Sequence, residues 1–196
     1  MRAGEGGEAK PLIGVLVSGE GTNLQALLDA ELPVVAVASN VAGVRALERA
    51  AAAGVPTGCF ALGDFSSRAE RDAAMADWLG EHGVELVVCA GYMHLLTPTF
   101  LERFPALNVH PSLLPAFPGT TALEDALAAG ATETGVTVHF LDEGVDTGPV
   151  VAQERVAIEP GETADALRER VRAVEHRLLP EAARRWLAGA LRSPGR

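Results

Sequence analysis

Asn108 and His110 are the side chains of this sequence whose types and spacing point most directly to chemistry. They lie in Leu107-Asn108-Val109-His110-Pro111-Ser112-Leu113-Leu114-Pro115, where an apolar run breaks into a proline-bounded turn. The run reads as a buried strand end, and in an extended chain residues i and i+2 point to the same face. Pro111 disfavours helical backbone at His110 and stops regular structure there. The stretch is therefore expected to form a rigid ledge. It presents a neutral donor/acceptor beside an imidazole able to change charge near neutral pH.

A second stretch suggests an anion site. The apolar run over residues 12–17 is followed at once by Ser18-Gly19-Glu20-Gly21-Thr22-Asn23 and then by the helical spacing Leu24, Leu27, Leu28. A strand, a glycine loop and a helix start together leave backbone N–H groups converging at a positive helix terminus. Thr22 and Asn23 could add side-chain donors. The same residues also fit a plain tight turn with Thr22 as the helix cap. The spacing is neither the full dinucleotide fingerprint nor a Walker loop, because no Gly-Lys-Ser/Thr follows, and it favours a single phosphate.

The remaining elements must position these two stretches. Strands are expected over residues 12–17, 33–38, 55–60, 85–90, 106–109, 135–141 and 150–158. Helices are expected after residue 23, over 43–53 with Gly54 as the stop, and from 64 to about 82 with Asp64 or Ser66 as the cap. Further helices are expected over 97–103 and 121–129, and from 162 or 163 to about 190, the last kinked or interrupted at Pro180. This alternation implies an α/β fold, a mainly parallel sheet with helices on both faces. An antiparallel last hairpin makes the sheet mixed. Ligands of such sheets bind at the carboxyl ends of the strands, where Ser18, Ser39-Asn40, Gly91 and His110 fall. The loop Gly91-Tyr92-Met93-His94-Leu95-Leu96-Thr97-Pro98 is too apolar for an ordinary exposed connection. It either buries itself or lines a pocket for a flat ligand.

Composition bounds the partners. The 196 residues suit one domain, expected over 11–196, with 48% hydrophobic residues for a core. Residues 1–10 have no apolar core and read as a disordered lead-in rather than a secretory signal. A formal net charge of −10 argues against nucleic acid and anionic membranes as partners. No stretch approaches the ~20 apolar residues needed to span a bilayer. Cys59 and Cys89 lack a metal spacing, and both are expected to be reduced core residues of a cytoplasmic protein.

Four motifs in order carry a family resemblance: Ser18-Gly19-x-Gly21-Thr22-Asn23-Leu24, Asn108-Val109-His110-Pro111-Ser112-Leu113-Leu114-Pro115, Asp142-x-Gly144-x-Asp146-x-Gly148-Pro149 and Val171-x-x-x-Glu175-His176. Together they resemble the phosphoribosylglycinamide formyltransferases, folate-dependent enzymes of purine synthesis, over residues 12–187. The Asn-x-His-Pro ledge is shared with other 10-formyltetrahydrofolate enzymes. The first glycine loop and the lack of an additional domain narrow the resemblance to this member.

The resemblance implies a Rossmann-like formyltransferase fold with a long C-terminal helix. It also implies formyl transfer from 10-formyltetrahydrofolate, as co-substrate, to the amine of 5-phosphoribosylglycinamide, without a metal. Direct amine attack would give a tetrahedral oxyanion, which needs aimed donors and a group that handles protons. Asn108, His110 and Asp146 are implied as the catalytic set, with Asp146 favouring the charged imidazole. Gly21, Thr22, Asn23 and Glu175 are implied at the ribonucleotide. Arg68, Met93, His94, Leu95 and Leu96, with Asn108 and the loop Asp142, Glu143, Gly144, Val145 and Asp146, are implied at the folate. His139 matches a strand histidine of the family and is expected behind the reacting groups. A monomer or a homodimer would serve.

Three departures bear on affinity rather than reaction type. His94 stands where many members carry Arg, Ala116 where a Lys or Arg is frequent, and Thr120-Thr121 where Leu-His or a similar pair is common. The alternatives are a 10-formyltetrahydrofolate hydrolase without its regulatory domain, a methionyl-tRNA formyltransferase, and a non-catalytic folate- or nucleotide-binding module. The ten leading residues are too few for a regulatory domain, the acidic charge argues against tRNA, and a binding module needs no titratable His–Asp pair.

Overall fold

The computed structural model describes residues 11–192; the expected lead-in, residues 1–10, lies outside the described residues. In chain order the elements are β1 (Leu12–Val17), α1 (Thr22–Asp29), β2 (Val34–Ser39), α2 (Arg45–Ala52), β3 (Thr57–Cys59), α3 (Arg68–Glu81) and β4 (Val84–Cys89). They continue with α4 (Pro98–Arg103), β5 (Ala106–His110), α5 (Ala122–Ala128), β6 (Glu133–Phe140), β7 (Val150–Ala157) and α6 (Ala164–Leu187). A short 3₁₀ turn, Leu62–Asp64, precedes α3.

The seven strands form one sheet in the order β3-β2-β1-β4-β5-β6-β7. The β1–β5 strands pair in parallel, while β6 pairs antiparallel with both β5 and β7. The expected mixed sheet is therefore present, with the antiparallel addition at one edge. Strand order reverses between β1 and β4, and the crevice at such a reversal is where ligands of open α/β sheets bind. The glycine loop leaves β1 there, and the Gly91 loop leaves β4 beside it.

Helices cover both faces. Leu24 and Leu27 of α1, Ala46 and Ala50 of α2, Leu123 of α5 and Leu167, Val171 and Leu179 of α6 bury one face together with Ile13, Val15 and Val88. Met75 and Leu79 of α3 and Phe100 of α4 bury the other against Leu16, Val87 and Cys89. The central strands are thus buried on both sides, which is why their sequences read as continuous apolar runs rather than alternations.

Three expectations are corrected. Ser67, rather than Asp64 or Ser66, caps α3, its side chain accepting from Glu70 N. Ser66 instead donates to the Glu70 carboxylate, the reciprocal half of a capping arrangement. The α6 helix runs through Pro180 without interruption. An internal proline costs about 3 kcal/mol, but burying Leu178 and Leu179, the two residues before it, contributes about 2 kcal/mol each, so packing overrides it. Cys59, expected in the core, is exposed at the end of β3, while Cys89 is buried as expected; both are free thiols.

Gly21 has a structural reason distinct from ligand approach. It caps α1 with φ 72°, a left-handed conformation, and a Cβ placed on it would lie 2.6 Å from the Ala46 side chain and 2.7 Å from its Cα. The loop and α2 therefore touch backbone to backbone. Gly21→Ala should cost about 1–3 kcal/mol in urea denaturation, whereas Gly19→Ala, with nothing within 4 Å of its added Cβ, should stay within about 0.5 kcal/mol. Equal effects at the two positions would contradict this packing account.

Candidate active site

Asn108 and His110 do share a face of β5, at its carboxyl end. The antiparallel register sets Asn108 opposite His139 and His110 opposite Thr137, and directly opposed residues project to the same side of a sheet. Thr137 accepts from Leu114 N (3.1 Å) and donates to Ser112 O (2.6 Å), which pins the turn after the ledge to the neighbouring strand. His110 is buried and Asn108 half-buried.

The loop between β6 and β7 delivers Asp146. Its Oδ2 lies 3.4 Å from His110 Nδ1 and its Oδ1 lies 3.6 Å from His139 Nε2. Gly119 N donates to Oδ2 at 2.8 Å. The expected triad of Asn108, His110 and Asp146 is thus assembled, and His139, expected behind the site, stands in direct contact with it. On its other side His139 Nε2 is 3.2 Å from the Asn108 amide nitrogen. His139 Nδ1 meets Phe140 O at 2.9 Å. A carbonyl can only accept, so that contact places a hydrogen on Nδ1. With a lone pair on Nε2 the ring accepts from Asn108; with a hydrogen there it donates toward Asp146.

His110 has both ring nitrogens occupied. Nε2 donates to Phe117 O at 2.9 Å, and Nδ1 faces Asp146. Two of the residues gripping this ring have left-handed backbones without being glycine, Phe117 with φ 51° and Asp146 with φ 55°. Such conformations cost of order 1–3 kcal/mol and persist only where surrounding contacts over-determine them. Here the contacts are the imidazole itself and Gly119 N–H.

Two cavities flank the ledge. The first, about 340 Å³, is lined by Met93, His94, Leu95 and Leu96, by Asn108 and His110, and by Asp142, Gly144, Val145 and Asp146, with Cys89 and Tyr92 among its other walls. The second, about 280 Å³, is lined by Thr22, Asn23, Arg168, Arg172 and Glu175, among others. Gly91, Met93, Val109, Pro111 and Thr120 line both. The cavities therefore meet beside the end of β5. In the second, Asn23 donates to Glu175 Oε2 at 3.0 Å while its own Oδ1 is buried without a partner. Burial raises the Glu175 carboxyl above its ordinary value, against the Asn23 hydrogen bond and the Arg172 charge.

Not every expected residue reaches a cavity wall. Arg68 is exposed on the first turn of α3, and Glu143 is exposed in the β6–β7 loop; neither lines the first cavity. Gly21 lies one residue before the wall formed by Thr22 and Asn23. Conversely, Arg168 and Arg172 were not singled out in the sequence. Their spacing of four residues, with Glu175 three further on, marks one helix face. Cys89 offers no nucleophile, since burial pushes its thiol up to about 12. Among the described residues, no group of three or more His, Cys, Asp and Glu is gathered as metal ligands would be, and no helix is long and apolar enough to cross a membrane.

Comparison with known proteins matches residues 12–183 to the formyl transferase family. The chain is 47% identical over 174 residues to phosphoribosylglycinamide formyltransferase of Mycobacterium tuberculosis, covering 86% of this chain and 81% of that protein. It belongs to the phosphoribosylglycinamide formyltransferase family. The crystal structure of glycinamide ribonucleotide transformylase 1 from Symbiobacterium toebii superposes with a TM-score of 0.91 at 45% identity, covering 96% of this chain and 93% of that one. The family also occurs within longer proteins. The chain is 44% identical to the trifunctional purine biosynthetic protein adenosine-3 of Chironomus tentans, of which it spans 14%.

The Asp146 carboxyl is held below the usual carboxylate range, first by His139 and then by Gly119 N–H and the His110 charge, against partial burial. A carboxyl lowered on folding contributes stability that is complete above its unfolded value of about 3.9 and is lost as pH falls through its folded value. Asn tolerates the left-handed backbone at this position. The stability difference between the wild-type protein and Asp146→Asn should therefore shrink as pH drops below about 4. A difference that instead grew on acidification would refute the lowered carboxyl.

Proposed function

We propose that the protein transfers the formyl group of 10-formyltetrahydrofolate to the amine of 5-phosphoribosylglycinamide, yielding the formylated ribonucleotide and tetrahydrofolate for purine synthesis. The observation that carries this reading is the pair of cavities sharing a wall at the β5 ledge. One is largely apolar with a carboxylate at its inner end, suited to a flat pterin read by loop backbone. The other offers hydrogen-bonding side chains at the α1 start and, on α6, the guanidinium groups of Arg168 and Arg172, each also paired with a carboxylate, suited to a phosphorylated sugar.

Family membership supports the reaction, and the geometry supports the roles. The amine attacks the formyl carbon, the carbon–N10 bond breaks, and the amine proton passes to N10. Asn108 has a second amide hydrogen, beyond the one turned to His139, to donate to the oxyanion. His110 lies beside it, but its Nε2 is spent on Phe117 O. Donation to the substrate therefore requires that contact to be exchanged. Asp146 orients both imidazoles and offsets the charge of either when protonated. Thr22 and Asn23 hold the phosphate with Arg172, and Glu175 with the free Asn23 oxygen accepts from ribose hydroxyls. Met93, His94, Leu95, Leu96, Asp142, Gly144 and Val145 enclose the folate. Arg68 and Glu143 would reach only the distal part of that co-substrate from outside the cavity.

Tetrahydrofolate release should require both co-substrates. Release without the ribonucleotide would indicate a hydrolase, and folate binding without release under either condition a binding module. His110→Ala should lower kcat by about 10²-fold or more with folate affinity nearly kept; near-normal turnover would contradict the proton-handling role. Glu175→Ala should raise the ribonucleotide KM about tenfold; a change confined to the folate KM would overturn its placement.

A further inference from the structure

The loop that lines the folate cavity is gripped from outside the cavity by two adjacent residues of α3. Arg71 and Asp72 are a fully buried ion pair, with Nη2 and Nε donating to Asp72 Oδ1 at 2.6 and 2.8 Å. Between them they hold four residues of the loop. Arg71 Nη1 lies 2.6 Å from His94 Nδ1, Nη2 reaches Leu95 O at 3.5 Å, and the guanidinium sits 5.9 Å from the Tyr92 ring centroid. Asp72 Oδ2 accepts from Thr97 N at 2.8 Å. A buried ion pair is a poor source of stability, since apolar replacements of similar volume are often neutral or stabilising. Its value here lies in what it holds.

Donor chemistry fixes the state of His94. A guanidinium has five donors and no acceptor, so His94 Nδ1 must keep its lone pair and the ring hydrogen must sit on Nε2. Nε2 faces the Asn40 amide at 3.3 Å. Asn40 Oδ1 accepts from the Ser18 hydroxyl at 2.5 Å, an O–H···O length. Ser18 Oγ also accepts from Met93 N at 2.9 Å, which returns the network to the cavity wall. The contacts run from Arg71 through His94 and Asn40 to Ser18 and so to Met93 N.

We propose that Arg71 is a positioning residue for folate binding, acting through the neutral Nε2–H form of His94 to set the shape of residues 92–97. This rests on the folate-dependent activity proposed above. It also gives the Arg-to-His departure at position 94 a physical account: the cation beside this loop comes from α3 and stays buried, acting on the loop instead of the ligand.

Steady-state formyl transfer with each co-substrate varied in turn tests this. Arg71→Met should raise the folate KM about tenfold, with kcat and the ribonucleotide KM within about twofold of wild type. His94→Gln retains an acceptor for Arg71 and should impair folate binding less than His94→Leu, which does not. Should Arg71→Met fail to fold, the two His94 variants still decide. An unchanged folate KM in Arg71→Met, an equal loss on both substrates, or equal defects in His94→Gln and His94→Leu would overturn the inference. Absence of transfer by the wild-type protein would remove the functional reading itself and this inference with it.

Discussion

The arrangement depends on one carboxylate reaching two imidazoles from a different part of the chain. Asp146 lies between His110 at 3.4 Å and His139 at 3.6 Å, joining the β6–β7 loop to side chains of β5 and β6. Its left-handed backbone is the cost of that reach. Gly119 N–H, donated from the turn beyond the ledge, closes the arrangement. Three separate segments therefore meet at one charge.

The same logic appears twice more. Glu175 on α6 reaches Asn23 on α1, which ties the last helix to the first loop across the second cavity. Asp72 on α3 holds Arg71 and Thr97 N, which ties the outer helix to the Tyr92–Thr97 loop. Each is a buried or half-buried carboxylate that accepts directed hydrogen bonds from another segment; Asp72 is also ion-paired with Arg71, while at Glu175 desolvation outweighs the donors. Burial of such groups stabilises little on balance, yet it leaves the loops few alternative positions.

Much of this was legible in the sequence, for identifiable reasons. The strand-and-helix alternation marks the parallel core because both faces of those strands are buried, and Asn108 and His110 share a face because they are two residues apart in a strand. Asp146 is legible only through the family motifs, since nothing local ties a loop aspartate to a histidine thirty-six residues earlier. The contact of His139 with Asn108 was not legible, because it depends on the β5–β6 register, which the intervening helix and turns set. Ser67 is the α3 cap because the 3₁₀ turn Leu62–Asp64 takes up Asp64 and Ser66 is bound to the Glu70 carboxylate. Arg71 gave no signal at all: an arginine in an alanine-rich helix reads as solvated, and only the tertiary approach of the Tyr92–Thr97 loop buries it.

The central claim is that the formyl group crosses at the ledge, between two cavities that fill together. A crystal structure with a non-transferable 10-formyl folate analogue and 5-phosphoribosylglycinamide bound at once measures this directly. The account predicts a formyl oxygen about 3 Å from the Asn108 amide, His110 released from Phe117 O toward the reacting atoms, and the phosphate against Thr22 and Asn23. A formyl carbon seated away from both Asn108 and His110, or a phosphate bound outside the α1 start, would contradict it.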